Sequence, residues 1–102
     1  YYYYYIYFEN NDFKAKIGAS YYKLDLESFI KNVDSDLNAN DTINLFETDS
    51  DGYISFKKLD NLGHFELKGI LGGSHDNFSL RFMIDVDQTT LIILANYFKK
   101  NL

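Results

Sequence analysis

The sequence predicts an α+β domain of order ββ-α-ββββ-α, a largely antiparallel sheet of about six strands with two helices packed on one face. Three observations carry this expectation. Phe78, Leu80, Phe82, Ile84 and Val86 alternate with Ser79, Arg81, Met83, Asp85 and Asp87, the period of a strand with one buried face. The period then becomes helical, with Leu91, Leu94, Ala95 and Phe98 on one stripe. Turn clusters such as Asn10-Asn11-Asp12 and Gly72 to Asn77 separate short apolar runs, which makes neighbouring runs hairpins.

Each element has its own signal. Tyr1 to Phe8 is rich in strand formers, and alternation sets Tyr3, Tyr5 and Tyr7 on one face, Ile6 and Phe8 on the other. Phe13, Ala15, Ile17, Ala19 and Tyr21 alternate with Lys14, Lys16, Gly18 and Ser20, so the two runs read as a hairpin. Leu24 to about Leu37 reads as a helix. Its stripe is Leu26, Phe29, Ile30, Val33 and Leu37, with Asp25 as N-cap and a staple between Leu24 and Phe29. Thr42 to Glu47 is a short strand with Ile43 and Leu45 inward. Tyr53 to Leu59 follows, with Ile54 and Phe56 inward and a bulge near Lys57-Lys58, because Leu59 breaks the alternation. Phe65, Leu67 and Leu71 face inward on the next strand, opposite His64, Glu66 and Lys68. The closing strand delivers Phe78 to Val86 to the core, packed against Leu91, Leu94 and Phe98. Asp87 caps the last helix, Val86 and Leu91 staple it, and Lys99 and Lys100 suit its negative end.

At 102 residues, 46% hydrophobic and 25% charged, the chain is one domain over 1–102 with enough apolar side chains for a single core. Ten Tyr and nine Phe make that core and its rim ring-rich. No Cys is present, which excludes disulfides and thiolate chemistry and fits a reducing compartment. The formal charge of −5 disfavours a nucleic-acid ligand and suits a basic partner. No apolar run approaches the roughly 20 residues of a spanning helix, so no membrane association is expected. The chain opens on a tyrosine run without an initiator Met, which reads as a processed or incomplete N-terminus. That run is also the candidate for self-association.

Motifs that carry chemistry are weak. Asp49-Ser50-Asp51-Gly52-Tyr53-Ile54 resembles the middle of a calcium loop, but the register puts Lys58 where a bidentate acid is needed. A hairpin turn explains the same residues. His64, His75 and Asp76 are acid-base types without a nucleophile at motif spacing. Asp85 and Asp87 share a strand face, where a cap and an outward polar residue account for them. The glycines around Gly72 do not open a helix after a strand, so they form no phosphate loop. We therefore expect no catalytic, cofactor or metal residues. The alternatives are a small enzyme or metal site built on His64, His75 and the nearby aspartates, or a structural domain that dimerises through the tyrosine strand.

Gly63-His64-Phe65, Leu67-Lys68-Gly69, the glycine-containing hairpin, Asn77 to Phe82, and Asp85-Val86-Asp87-Gln88-Thr89 before a Leu-rich helix resemble the WapI-like group. These are small bacterial immunity proteins of contact-delivered polymorphic toxin systems. The helix from Leu24 and the opening strand Tyr5 to Phe8 resemble the same family's elements. The resemblance implies a cytoplasmic protein that binds a cognate toxin domain and occludes it without chemistry of its own. Contact surfaces vary between members, so the candidate partner-binding residues come from the pattern of this chain. Glu66, Asp85 and Asp87 should project from the outer sheet face, with Tyr53 and His64 as ring anchors. Asp49, Asp51 and Asp76 should stand on hairpin tips.

Overall fold

The computed structural model describes residues 2–10, 12–35, 41–48, 51–72 and 79–102. The order is β1 (Tyr2–Asn10), β2 (Phe13–Tyr21), α1 (Lys23–Ser35), β3 (Thr42–Phe46), β4 (Tyr53–Lys58), β5 (His64–Gly72), β6 (Ser79–Asp87) and α2 (Gln88–Asn101). The α+β class and the ββ-α-ββββ-α order are as the sequence predicts. Every strand pair is antiparallel.

The six strands divide between two sheets, β1-β2 and β3-β4-β5-β6. The hairpin has a fully apolar inner row, with Ile17, Ala19 and Tyr21 on β2 almost completely buried. Extending the larger sheet sideways would leave that row in water. Laying the hairpin across the sheet buries it instead. A corner tie holds this arrangement: the Thr48 N–H donates to the Ser20 carbonyl at 2.9 Å, and their hydroxyls meet at 2.8 Å.

The hairpin and both helices cover one face of the four-stranded sheet. Phe56 on β4 meets Phe29 of α1 at 5.9 Å between ring centroids, and Phe29 meets Phe98 of α2 at 5.9 Å. Phe8 of β1 lies 4.6 Å from Phe82 of β6. Leu26, Ile43, Leu45, Phe65, Leu71 and Leu91 complete the centre of the core. Tyr4 and Tyr21 place their hydroxyls in this layer with no hydrogen-bond partner among the described residues. Burial pushes both phenol pKa values up, Tyr97 adding to it at Tyr4 and Glu47 at Tyr21.

Two glycines are required by geometry. Gly69 faces the core where a Cβ would strike the Tyr53 carbonyl and press on the Phe82 ring. Gly63 has φ +89, a left-handed turn, and its carbonyl accepts from the Gln88 N–H at 2.8 Å. That bond docks the start of α2 beside the start of β5. Asp87 caps α2, accepting from the Thr89 N–H at 2.9 Å, as its sequence position predicts. Val86 is half-buried and Leu91 buried, as a staple requires.

Four expectations are corrected. Helix α1 begins at Lys23, with the Tyr22 carbonyl accepting from Asp25 and Leu26. Asp25 is therefore in the first turn instead of capping it, and Leu24 is 77% exposed, so no staple to Phe29 forms. No bulge interrupts β4, whose pairing runs from Tyr53↔Ile70 to Lys58↔Phe65; Leu59 simply leaves the strand and stays exposed. Ile84 is 48% exposed although it points to the covered face. It lies on the last strand of the sheet, beyond the close contact of Phe8 with Phe82. Leu80, Phe82, Val86 and Leu94 are half-buried where full burial was expected. Phe78 and Leu37, also expected inward, lie outside the described residues. Neither described helix is long and apolar enough to cross a membrane.

Truncating Phe56 or Phe29 to Ala should cost about 3–5 kcal/mol in urea unfolding, whereas Met83→Ala should stay within about 0.5 kcal/mol. Asp87→Ala should cost about 1 kcal/mol through loss of the cap. Tyr21→Phe should leave stability unchanged or raise it by about 1 kcal/mol, since it deletes a buried hydroxyl without a described partner. A loss above that size would mean the hydroxyl is bonded.

Candidate functional site

Among the described residues no element covers the second face of the larger sheet, since the hairpin and both helices occupy the first; Ser55 at its middle is nonetheless buried, 4% exposed between Asn44 and Lys68. Strand register assigns its residues in rows. At one end Thr42, Lys57, Glu66 and Asp85 stand side by side across the four strands, and His64 pairs with Asp87 in the next row. The middle row holds Asn44, Ser55, Lys68 and Met83. The far row holds Phe46, Tyr53, Ile70 and Arg81. The face thus has an acidic end and an apolar end.

At the acidic end Glu66 sits between Lys57 and Asp85 in the register. Opposite charges on neighbouring strands attract, and like charges directly opposite repel. A half-buried Glu66 beside Asp85 is therefore a local cost that packing alone does not explain. Asp87, opposite His64 in the register, is committed to the α2 cap through Oδ1. His64 is held from the turn before β5. Asp60 Oδ2 accepts from the His64 ring Nδ1–H at 2.6 Å, while Asp60 Oδ1 accepts from the Leu62 N–H at 2.7 Å. This bond holds the His64 imidazolium pKa above its ordinary value, with the charges of Asp60, Asp87 and Asp85 adding to it. The same bond holds the Asp60 carboxyl below its ordinary range.

At the apolar end Tyr53 is half-buried and its ring lies 6.5 Å from that of Phe46. Phe46 is 57% exposed, and Met83 of the middle row 67%, large apolar side chains on a face that no described element covers. Asp51 is exposed at the tip between β3 and β4, next to this end. Asp49, His75 and Asp76 lie outside the described residues.

The structure therefore brings together His64, Glu66, Asp85 and Asp87 and sets Tyr53 and Asp51 at the opposite end of the same face. Three residues were not singled out in the sequence. Asp60 was legible as an Asx turn preceding a His four residues on. Phe46 and Met83 were legible as outward positions by alternation, but a search for titratable groups passes over them. The bond to Asp60 engages only Nδ1 of the His64 ring. Among the described residues no three of His, Cys, Asp and Glu converge to hold a metal. A hollow of about 440 Å³ lies elsewhere, between Phe13 to Ile17 of β2 and Ser79 and Leu80 of β6, and is lined by none of the candidate residues.

The His64–Asp60 pair gives a signed pH dependence. Below the unfolded His pKa the imidazolium is charged in both states and its contribution is complete. That contribution is lost as pH rises through the raised folded value. On the acid side it is lost as pH falls through the lowered Asp60 value. An NMR titration of the His64 ring should give a midpoint above 6.5, returning toward 6.5 in Asp60→Asn. A midpoint unmoved by Asp60→Asn would show that the pair does not persist in solution.

In comparisons with known proteins, no family model, no curated protein and no solved structure matches this chain.

Proposed function

We propose that this protein is a binding module of the immunity type, which presents its open sheet face to a basic toxin domain and occludes it in the cytoplasm. One observation carries the reading: a four-stranded face that no described element covers, with exposed Phe46 at one end, Glu66, Asp85 and Asp87 at the other, and exposed Met83 between them. Exposed large apolar groups beside a polar rim are the composition of a protein interface. The net charge of −5 gives long-range attraction toward a basic cleft. A toxin that handles nucleic acid must carry such a cleft. The resemblance of Gly63 to Thr89 to WapI-like immunity proteins supports the class of partner.

Division of labour follows from the two ends. The acids steer, because their field reaches about 8–10 Å through physiological salt. The apolar end holds, because water leaves it on contact. Binding there needs no movement of the core, since the strands beneath are fixed by the helices on the other side.

Association with the toxin encoded beside this protein's gene tests the reading. Glu66→Lys with Asp85→Lys should slow association about tenfold or more, and salt should slow the parent. Phe46→Ala and Met83→Ala should speed dissociation while leaving the association rate nearly unchanged. No binding to that toxin ends the immunity reading. Binding that ignores both sets of substitutions places the contact on another surface.

A further inference from the structure

Strand β1 is an edge. Among the described residues it pairs with β2 alone, over nine residues from Tyr2 to Asn10. The hairpin determines which backbone groups are left over. Asn10 pairs with Phe13 across a two-residue loop, and such a closing pair is hydrogen-bonded. Counting back by twos, Phe8, Ile6 and Tyr4 exchange bonds with β2. Glu9, Tyr7 and Tyr5 turn their N–H and C=O groups to the other side.

Proteins blunt such edges with Pro, Lys, a bulge or a covering element. β1 contains no Pro and no Lys, its register with β2 is unbroken, and its only charge is Glu9. Its inner row tells the same story. Ile17, Ala19 and Tyr21 on β2 are 2%, 1% and 0% exposed, while their neighbours Tyr2, Tyr4 and Ile6 on β1 are only half-buried. Side chains along the length of the strand thus remain open on the flank where another strand would lie.

We propose that β1 pairs antiparallel with β1 of a second copy about a two-fold axis at Ile6. In this register Tyr5 exchanges both backbone bonds with Tyr7 of the second copy, and Tyr7 with Tyr5. Ile6 meets Ile6 at the axis, and the two Glu9 residues stand at opposite ends. The seam is therefore free of like-charge contacts. That matters for a chain of charge −5, whose copies can approach only where acids are sparse. The contact is isologous and closes on itself, so it yields a dimer and no fibre. A nine-residue strand is about 30 Å long. Together with the Tyr5 and Tyr7 rings, 57% and 69% exposed, such a seam approaches the ~1,200 Å² at which small specific interfaces begin. The acidic and apolar ends of the larger sheet stay uncovered, so this inference stands independently of the proposed toxin partner.

Sedimentation equilibrium of the wild-type chain across the micromolar range should show the mass rising with concentration from 12.0 kDa toward twice that value. Tyr7→Pro removes an outward N–H without touching a bond to β2, and should weaken dimerisation about tenfold or more. If Tyr7→Pro does not fold, Tyr5→Glu with Tyr7→Glu gives the same readout, since both side chains are exposed, Lys16 lies beside both within one copy, and the acids oppose each other across the seam of the dimer. A wild-type chain that stays monomeric overturns the proposal. So does a dimer that survives the folded variant, or a β1 edge that captures an unrelated extended peptide in preference to its own copy.

Discussion

The structure depends on the burial of one ring, Phe98. It lies 5.2 Å from Tyr4 of the hairpin, 5.9 Å from Phe29 of α1 and 6.5 Å from Tyr21 of β2. Phe29 in turn reaches Phe56 on the central part of the sheet. A single side chain near the end of α2 therefore ties α2 to the hairpin and to α1, three units that share no backbone ladder with one another. Each ring pair adds about 0.5–1.5 kcal/mol beyond the area it buries. The ring works from this position because α2 is placed correctly at its start. The Asp87 cap, the Gly63 carbonyl bond and the buried Leu91 all act within the first turn. A second tie, Lys99 to Asp34 at 2.7 Å, joins the two helices at the surface; both partners are well exposed, so it orients more than it stabilises.

Concentrating the whole core on one side of the larger sheet has a consequence for the other side. A four-stranded sheet has two faces, and the described hairpin and helices cover one of them. The outer face must then tolerate water, and most of it does so with Lys57, Lys68, Asn44 and Asp85. Phe46 and Met83 do not fit that requirement. Nor does the neighbouring placement of Glu66 and Asp85, which costs repulsion where a lysine would cost nothing. Local features that fold stability does not favour are where function is to be sought. Here they lie on one surface, the one proposed above for contact with a partner.

The outer face of the hairpin follows different rules. Tyr3, Tyr5 and Tyr7 point to solvent, yet they are not bare. Tyr3 lies over Gly18, filling the space that a side chain there would take. The Lys16 ammonium sits 4.4 Å from the Tyr5 ring centroid and 5.6 Å from that of Tyr7. These contacts steady an isolated two-stranded ribbon, which by itself is marginal in water. They leave the backbone edge of β1 unaddressed.

Strand alternation, the helical stripe of α2 and the cap at Asp87 were all determined by the sequence alone. Each is a local rule in which a residue and its near neighbours set the outcome. The outward set Arg81, Met83 and Asp85 was legible for the same reason, and with it the face that carries Glu66 and His64. What the tertiary structure decided are matters of distant partners. Whether six strands form one sheet or two depends on where the row Ile17, Ala19 and Tyr21 finds cover, and no local pattern contains that. The exposure of Leu24 follows from α1 starting after Tyr22, three residues earlier than a cap at Asp25 suggested. The exposure of Ile84 follows from its place on an edge strand, past the reach of the hairpin. Asp60 came to His64 because a tight turn brings positions four apart into contact, and Phe46 came to Tyr53 because β3 and β4 pair in that register. Sequence determined which side chains face together along each strand; only packing determined which of those faces would be covered.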